Sequence, residues 1–139
     1  MSEPSLVVAF PGREAFDKGL DDSVYQSHPS AREAIALASD YLGKDVAAMC
    51  YQENNVEERW KSVCLAAHCY AIYRTAAPKL EQPHAFTGYS QGEFTACAAA
   101  GIFAYPEVLG LIFQLETILL EGRRPDEGMA RIIGLQRDK

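Results

Sequence analysis

His84-Ala85-Phe86-Thr87-Gly88-Tyr89-Ser90-Gln91-Gly92-Glu93-Phe94-Thr95-Ala96-Cys97-Ala98-Ala99-Ala100 reads as a strand, a sharp turn and a helix with nothing between them. His84 to Thr87 form a short strand that runs into Gly88, and the small residues from Gly92 to Ala100 predict a helix. Between them stands G-x-S-x-G, whose glycines permit a close, strained turn that presents a serine Oγ at the end of a sheet. The next backbone N–H, that of Gln91, lies at the helix N-terminus, where it can stabilise an oxyanion. The pentapeptide alone is common by chance. The strand before it and the helix after it separate a candidate nucleophile from an incidental serine in a glycine turn.

The rest of the chain extends this pattern. Upstream, Leu6-Val7-Val8-Ala9-Phe10 is a continuous apolar run stopped by Pro11-Gly12, as a buried strand of a parallel sheet would be. A polar stretch through Asp22 predicts a loop and a short helix. Ser30 as N-cap, with Glu33 three residues on, opens a helix carried by Ala31, Ala34, Ile35, Ala38 and Leu42 and ended by Gly43. From Glu57, the positions Trp60, Val63, Cys64, Ala67 and Ala71 define one apolar helix face, closed by Pro78. Pro106 suits a first helical position, and Val108 to Leu120 is apolar nearly all round, so that helix expects burial on most sides. Met129 to Leu135 reads as a further strand. Short strands alternating with longer helices predict an α/β fold, a mainly parallel sheet with flanking helices.

Composition bounds the function. The 139 residues, 48% of them apolar with 10 Gly and 7 Pro, suit one globular domain rather than a repeat array, a disordered tail or a coiled coil. A net charge of −6 disfavours nucleic acid as a partner. No apolar run approaches the ~20 residues of a membrane span, and the start, Met-Ser-Glu-Pro, lacks the basic opening of a signal peptide. The expected address is the cytoplasm. Cys50, Cys64, Cys69 and Cys97 form no Cys-x-x-Cys pair and read as reduced, small packing residues. Cys64, His68 and Cys69 lack the spacing of a zinc site, so no metal is expected.

The segment from Thr87 to Gly101 resembles the nucleophile block of the malonyl-CoA:acyl carrier protein transacylases and of the acyltransferase domains of polyketide and fatty-acid synthases, G-H-S-x-G-E-Y followed by a small-residue helix and A-G. Two further blocks agree in order: Val7-Val8-Ala9-Phe10-Pro11-Gly12 resembles the opening strand and its Pro-Gly-Gln-Gly loop, and Gly128-Met129-Ala130-Arg131-Ile132-Ile133-Gly134-Leu135 resembles G-x-M-A-x-I-x-G-L. The resemblance implies a hydrolase-like large core, with residues 1–128 forming its N-terminal part and 129–139 the first strand of a small ferredoxin-like subdomain. It also implies ping-pong transfer with no bound cofactor. Ser90 takes an acyl group from an acyl-CoA, and the phosphopantetheine thiol of an acyl carrier protein removes it. The oxyanion donors would be the amide of Gln91 and the loop at Gly12-Arg13.

Departures from the family pattern sharpen the expectation. The loop glutamine and the glycine after it fall at Arg13 and Glu14, and the histidine before the serine is Tyr89. The arginine that pairs with the free carboxylate of malonate falls at Leu115, or at Gln114 in a register one residue earlier, so Tyr89, Gln114 and Leu115 are the expected pocket residues. A carboxylate without its guanidinium is poorly compensated, which favours an uncharged acyl group or an acyl-enzyme discharged to water. Glu93 is expected to brace the turn, and Arg123 and Arg124 follow the last long helix, where cations favour its C-terminus. The family's general base is a histidine far downstream. His28, His68 and His84 occupy no such position, and the expected source of the base is a complementary C-terminal chain or fragment. An acyl hydrolase acting on carrier proteins and a silent interaction fragment are the alternative readings.

Overall fold

A computed structural model describes residues 6–126 and Gly128. Two strands, β1 (Val7–Phe10) and β2 (Ala85–Gly88), pair in parallel with Val7 opposite Ala85 and Phe10 opposite Gly88. Between them run α1 (Ser23–Ser27), α2 (Pro29–Leu42), α3 (Val46–Tyr51) and α4 (Glu58–Ala76), and after them α5 (Gly92–Ala99) and α6 (Tyr105–Glu121). The arrangement is a helix-rich α/β fold with a small parallel sheet, as part of an acyltransferase core would be. The strand expected at Met129–Leu135, and with it the expected second unit at 129–139, lies outside the described residues.

The long helix α4 is the hub, in contact with each of the other helices. Its buried residues include the predicted Trp60, Val63, Cys64, Ala67 and Ala71, but also Ser62, Leu65 and Ala66, so burial wraps round the helix rather than following one stripe. A fully buried serine needs a partner, and the Ser62 hydroxyl donates to Glu116 Oε1 on α6 at 2.5 Å. Trp60 and Phe113 rings meet at 4.3 Å, and Tyr70 stacks on Tyr105 at 3.9 Å. Ile35, Val46, Val63, Val108, Leu109 and Ile112 complete the apolar centre.

Three expectations are corrected. Helix α2 begins at Pro29 with His28 as its N-cap, because the fixed φ of proline starts the helix early; Ser30 lies inside it, and its hydroxyl meets Thr75 Oγ1 at 3.0 Å. Its end at Gly43, left-handed at φ 62°, is as predicted. Strand β1 is not buried on both faces: Phe10 is 5% exposed but Val7 is 51% exposed. Side chains alternate along a strand, and among the described elements only the face shared by Val8 and Phe10 is covered, Phe10 lying edge-on to Tyr73 of α4. Helix α6 buries Tyr105, Val108, Leu109 and Ile112, whereas Leu111, Leu115, Ile118 and Leu119 are exposed, so the expected burial on most sides is met only in its first half. Helix α3 was not legible in the sequence. It is capped by Asp45, whose side chain accepts from the Ala48 amide at 2.9 Å.

Candidate active site

Strand β2 ends at Gly88, and α5 begins at Gly92 after three intervening residues. Ser90, between them, has φ 52°, the one positive φ outside glycine among the described residues. An L-residue in that region is strained by about 1–2 kcal/mol, and strain of this kind persists only where the surroundings enforce it. They do so here. The Tyr89 amide donates to Phe10 O at 3.0 Å, the Gly92 amide to Tyr89 O at 2.9 Å and the Glu93 amide to Ser90 O at 3.0 Å. The elbow is thus clamped to the end of β1 on one side and to the first turn of α5 on the other.

With the Gly92 and Glu93 amides occupied, the Gln91 amide has no acceptor among the described residues. It stands directly after an exposed Ser90, at the positive end of α5. The first loop comes close to the same place. A Cβ at Gly12 would meet Tyr89 Cδ1 at 2.7 Å and Tyr89 O at 3.0 Å, and one on Gly92 would collide with the carbonyls of Phe10 and Pro11, so only glycine lets the two turns touch. Gly12 caps a 3-10 turn, Arg13–Lys18. Amides in its first turn have no partner within the turn, which leaves that of Arg13 open. The sequence-predicted Gly12, Arg13, Tyr89, Ser90 and Gln91 are therefore neighbours.

Gln114 and Leu115 are not drawn into that group. Both lie exposed on α6. A cleft of about 720 Å³ opens instead beside Arg13, lined by Arg13, Glu58, Glu116 and Arg123 together with the apolar Ile118, Leu119 and Leu120. Arg13 is paired with Glu58 at the start of α4, and the other oxygen of Glu58 takes Lys61 Nζ at 2.8 Å. The hydrogen bond from Lys61, with the charge of Arg13, holds the Glu58 carboxyl below the usual carboxylate range. This cluster left no mark in the sequence, because Arg13 and Glu58 are far apart in the chain.

None of the three histidines reaches Ser90. His84 precedes the far end of β2, roughly 13 Å of strand away from Gly88, with its amide bonded to Leu6 O. His28 caps α2. His68 lies in α4 with Nδ1 3.0 Å from the Tyr51 hydroxyl, and burial lowers its pKa from 6.5 although the charge of Asp21 opposes this. The folded protein therefore resists a proton that the unfolded chain accepts. The contribution of His68 to stability is expected to be constant above the ordinary histidine value and to be lost as pH drops through 6.5 toward the lowered folded value. Urea unfolding at a series of pH values checks this, and His68→Gln should flatten the acid limb. All four cysteines are free, Cys50 and Cys64 buried and Cys69 and Cys97 partly so. Among the described residues no cluster of three or more metal-ligating side chains occurs, and no helix is long and apolar enough to cross a membrane.

Over 96% of its length the chain is 28% identical to the malonyl-CoA acyl carrier protein transacylase of Haemophilus influenzae, covering 45% of that protein. The chain is similar to the first part of the malonyl-CoA:acyl carrier protein transacylases. Among solved structures, a malonyl-transacylase in complex with a type II polyketide synthase acyl carrier protein superposes with a TM-score of 0.79 at 26% identity, over 87% of this chain and 40% of the transacylase. A non-reducing polyketide synthase of Metacordyceps chlamydosporia is 27% identical over 91% of the chain, which is 6% of that large protein. No family model matches the chain. The chain spans less than half the length of the transacylases it matches.

Proposed function

We propose that this chain carries the nucleophile of an acyl transfer from an acyl-CoA to the phosphopantetheine thiol of an acyl carrier protein. The observation that carries the reading is the strained Ser90, exposed at the strand–helix elbow with the open amide of Gln91 beside it. Ser90 Oγ attacks the thioester carbonyl. The oxyanion rests on the amides of Gln91 and Arg13, the C–S bond breaks, and the Oγ proton passes through a base to the departing thiolate. Attack by the carrier thiol on the serine ester then reverses these steps. Both half-reactions exchange an ester with a thioester, so neither is steeply uphill. The similarity to transacylases, one of them solved with its carrier protein, supports the choice of donor and acceptor.

The base comes from a segment other than residues 6–126, since His28, His68 and His84 all lie elsewhere. The acyl group is one without a free carboxylate. Leu115, the position matching the family's arginine, is an exposed apolar residue, and Arg13, in the loop that meets the elbow, is already engaged by Glu58.

Incubating the protein in its natural assembled form with acetyl-, butyryl- and malonyl-CoA, and reading intact mass, tests this. The expected result is an acyl adduct that maps to Ser90, favours the uncharged groups and is discharged by holo-carrier protein. Free acid released without a carrier would instead make the protein a hydrolase, and absence of any adduct would leave a silent interaction fragment.

A further inference from the structure

A second cavity, of about 310 Å³, lies where three helix ends meet: the first turns of α2 and α6 and the last turns of α4. No residue of the elbow or of the first loop lines it. The Ser30 hydroxyl on α2 meets Thr75 Oγ1 on α4 at 3.0 Å, and the ring of Tyr105 on α6 stacks on Tyr70 of α4 at 3.9 Å, so the three ends are fixed to one another. Glu33, one turn after Ser30, and Arg74, one turn after Tyr70, bring opposite charges to the same wall. Yet they do not pair. Both are exposed, and neither side chain has a hydrogen bond or an ion pair among the described residues.

The rest of the wall is apolar or short of polar partners. Leu37, 50% exposed, and the stacked Tyr70 and Tyr105 supply apolar surface. Neither α2 nor α6 has a side-chain cap on its first turn, which leaves backbone amides there open to an acceptor. The Tyr105 hydroxyl is buried with no partner among the described residues, whereas buried polar groups of native proteins are nearly all paired.

We infer that this cavity is a binding site for a small zwitterion, an α-amino acid with an apolar side chain. Arg74 and the uncapped helix ends take the carboxylate, Glu33 takes the ammonium, and Leu37 with the tyrosine rings covers the side chain. The volume, at the lower end of small-molecule pockets, suits a molecule of that size. The charges argue against simpler ligands. A lone anion would meet like charge at Glu33, and a lone amine would meet it at Arg74. A divalent cation would find a single carboxylate in the wall. Because the cavity is separate from Ser90, the inference is independent of the acyl-transfer reading.

Titration of the protein with L-leucine, followed by nuclear magnetic resonance, tests this beside three matched probes. Of these, 4-methylpentanoate lacks the ammonium, 3-methylbutylamine lacks the carboxylate and glycine lacks the side chain. Leucine is expected to bind about fivefold more tightly than either singly charged probe, the effect of an exposed ion pair, and about tenfold or more tightly than glycine. Glu33→Gln should erase the advantage over 4-methylpentanoate and keep that over the amine, and Arg74→Gln should do the reverse. Absence of saturable binding of leucine by about 10 mM overturns the inference. So does leucine bound no better than the singly charged probes, or bound equally well by both variants and the wild type. Glu33 and Arg74 are exposed, so the variants are expected to fold, and their melting curves verify this.

Discussion

Ser90→Ala is expected to abolish the acyl adduct, while Ser90→Gly abolishes it and makes the protein more stable than the wild type. Removing the nucleophile of a serine enzyme lowers turnover by about four orders of magnitude or more, because binding and the oxyanion donors are all that remain. The stability effect has a separate origin. Ser90 is held at φ 52°, where an L-residue is disfavoured and glycine is not. Glycine relieves that strain but adds freedom to the unfolded chain. A net gain of about 0.5–1 kcal/mol, or a melting temperature higher by about 2–4 °C, is the expected balance. Alanine keeps the strain and should melt near the wild type. Scanning calorimetry of the three proteins separates the outcomes. Equal melting temperatures for the Gly and Ala variants would mean that the elbow is not strained, and an adduct surviving in Ser90→Ala would place the nucleophile elsewhere.

Gly92→Ala should be severely damaging for a single added methyl group. Its Cβ would be driven into the carbonyls of Phe10, at the end of β1, and of Pro11, at the start of the first loop, backbone groups that cannot rotate aside. Relief requires that α5 and the end of β1 separate, which also breaks the Tyr89 to Phe10 hydrogen bond. A loss of about 3 kcal/mol or more is expected, at the upper end of overpacking costs. That is a large part of the 5–15 kcal/mol that typically holds a domain together. Urea unfolding followed by circular dichroism measures it. The same change at Gly101, where a Cβ meets nothing within 4 Å but φ is 73°, should cost less, since only backbone strain is at stake.

Much of this was legible in the sequence, for an identifiable reason. The elbow is local: strand, serine and helix follow one another without a gap, so the place of Ser90 and Gln91 between β2 and α5 could be read from the strand and helix signals on either side. The end of α2 followed from Gly43, and the course of α4 from apolar periodicity and Pro78. Where a feature depends on residues distant in the chain, spacing is silent. The buried Ser62 reads as an ordinary polar position until Glu116 is found beside it, and Ser30 reads as a cap until Thr75 is. Helix α3, six residues long, is too short to show a period. Arg13 was identified as a departure in the first loop, but its engagement with Glu58, and hence the chemistry of the cleft, required the fold. The apolar composition of α6 predicted burial that its second half does not find among the described residues.

The parallel pairing of β1 with β2 also sets an order of events. The strands are neighbours in space, yet α1 to α4 lie between them in sequence, and contacts across so long an interval form slowly because the chain must first give up the entropy of closing that loop. The helices gathered around α4 make nearer contacts and are expected to condense first. Only when Phe10 and Gly88 come into register can the first loop meet the elbow and force Ser90 out of its preferred backbone region. Until that register forms Ser90 is free to keep an ordinary backbone conformation, so the strained elbow is a product of the latest contacts in folding rather than of its own local sequence.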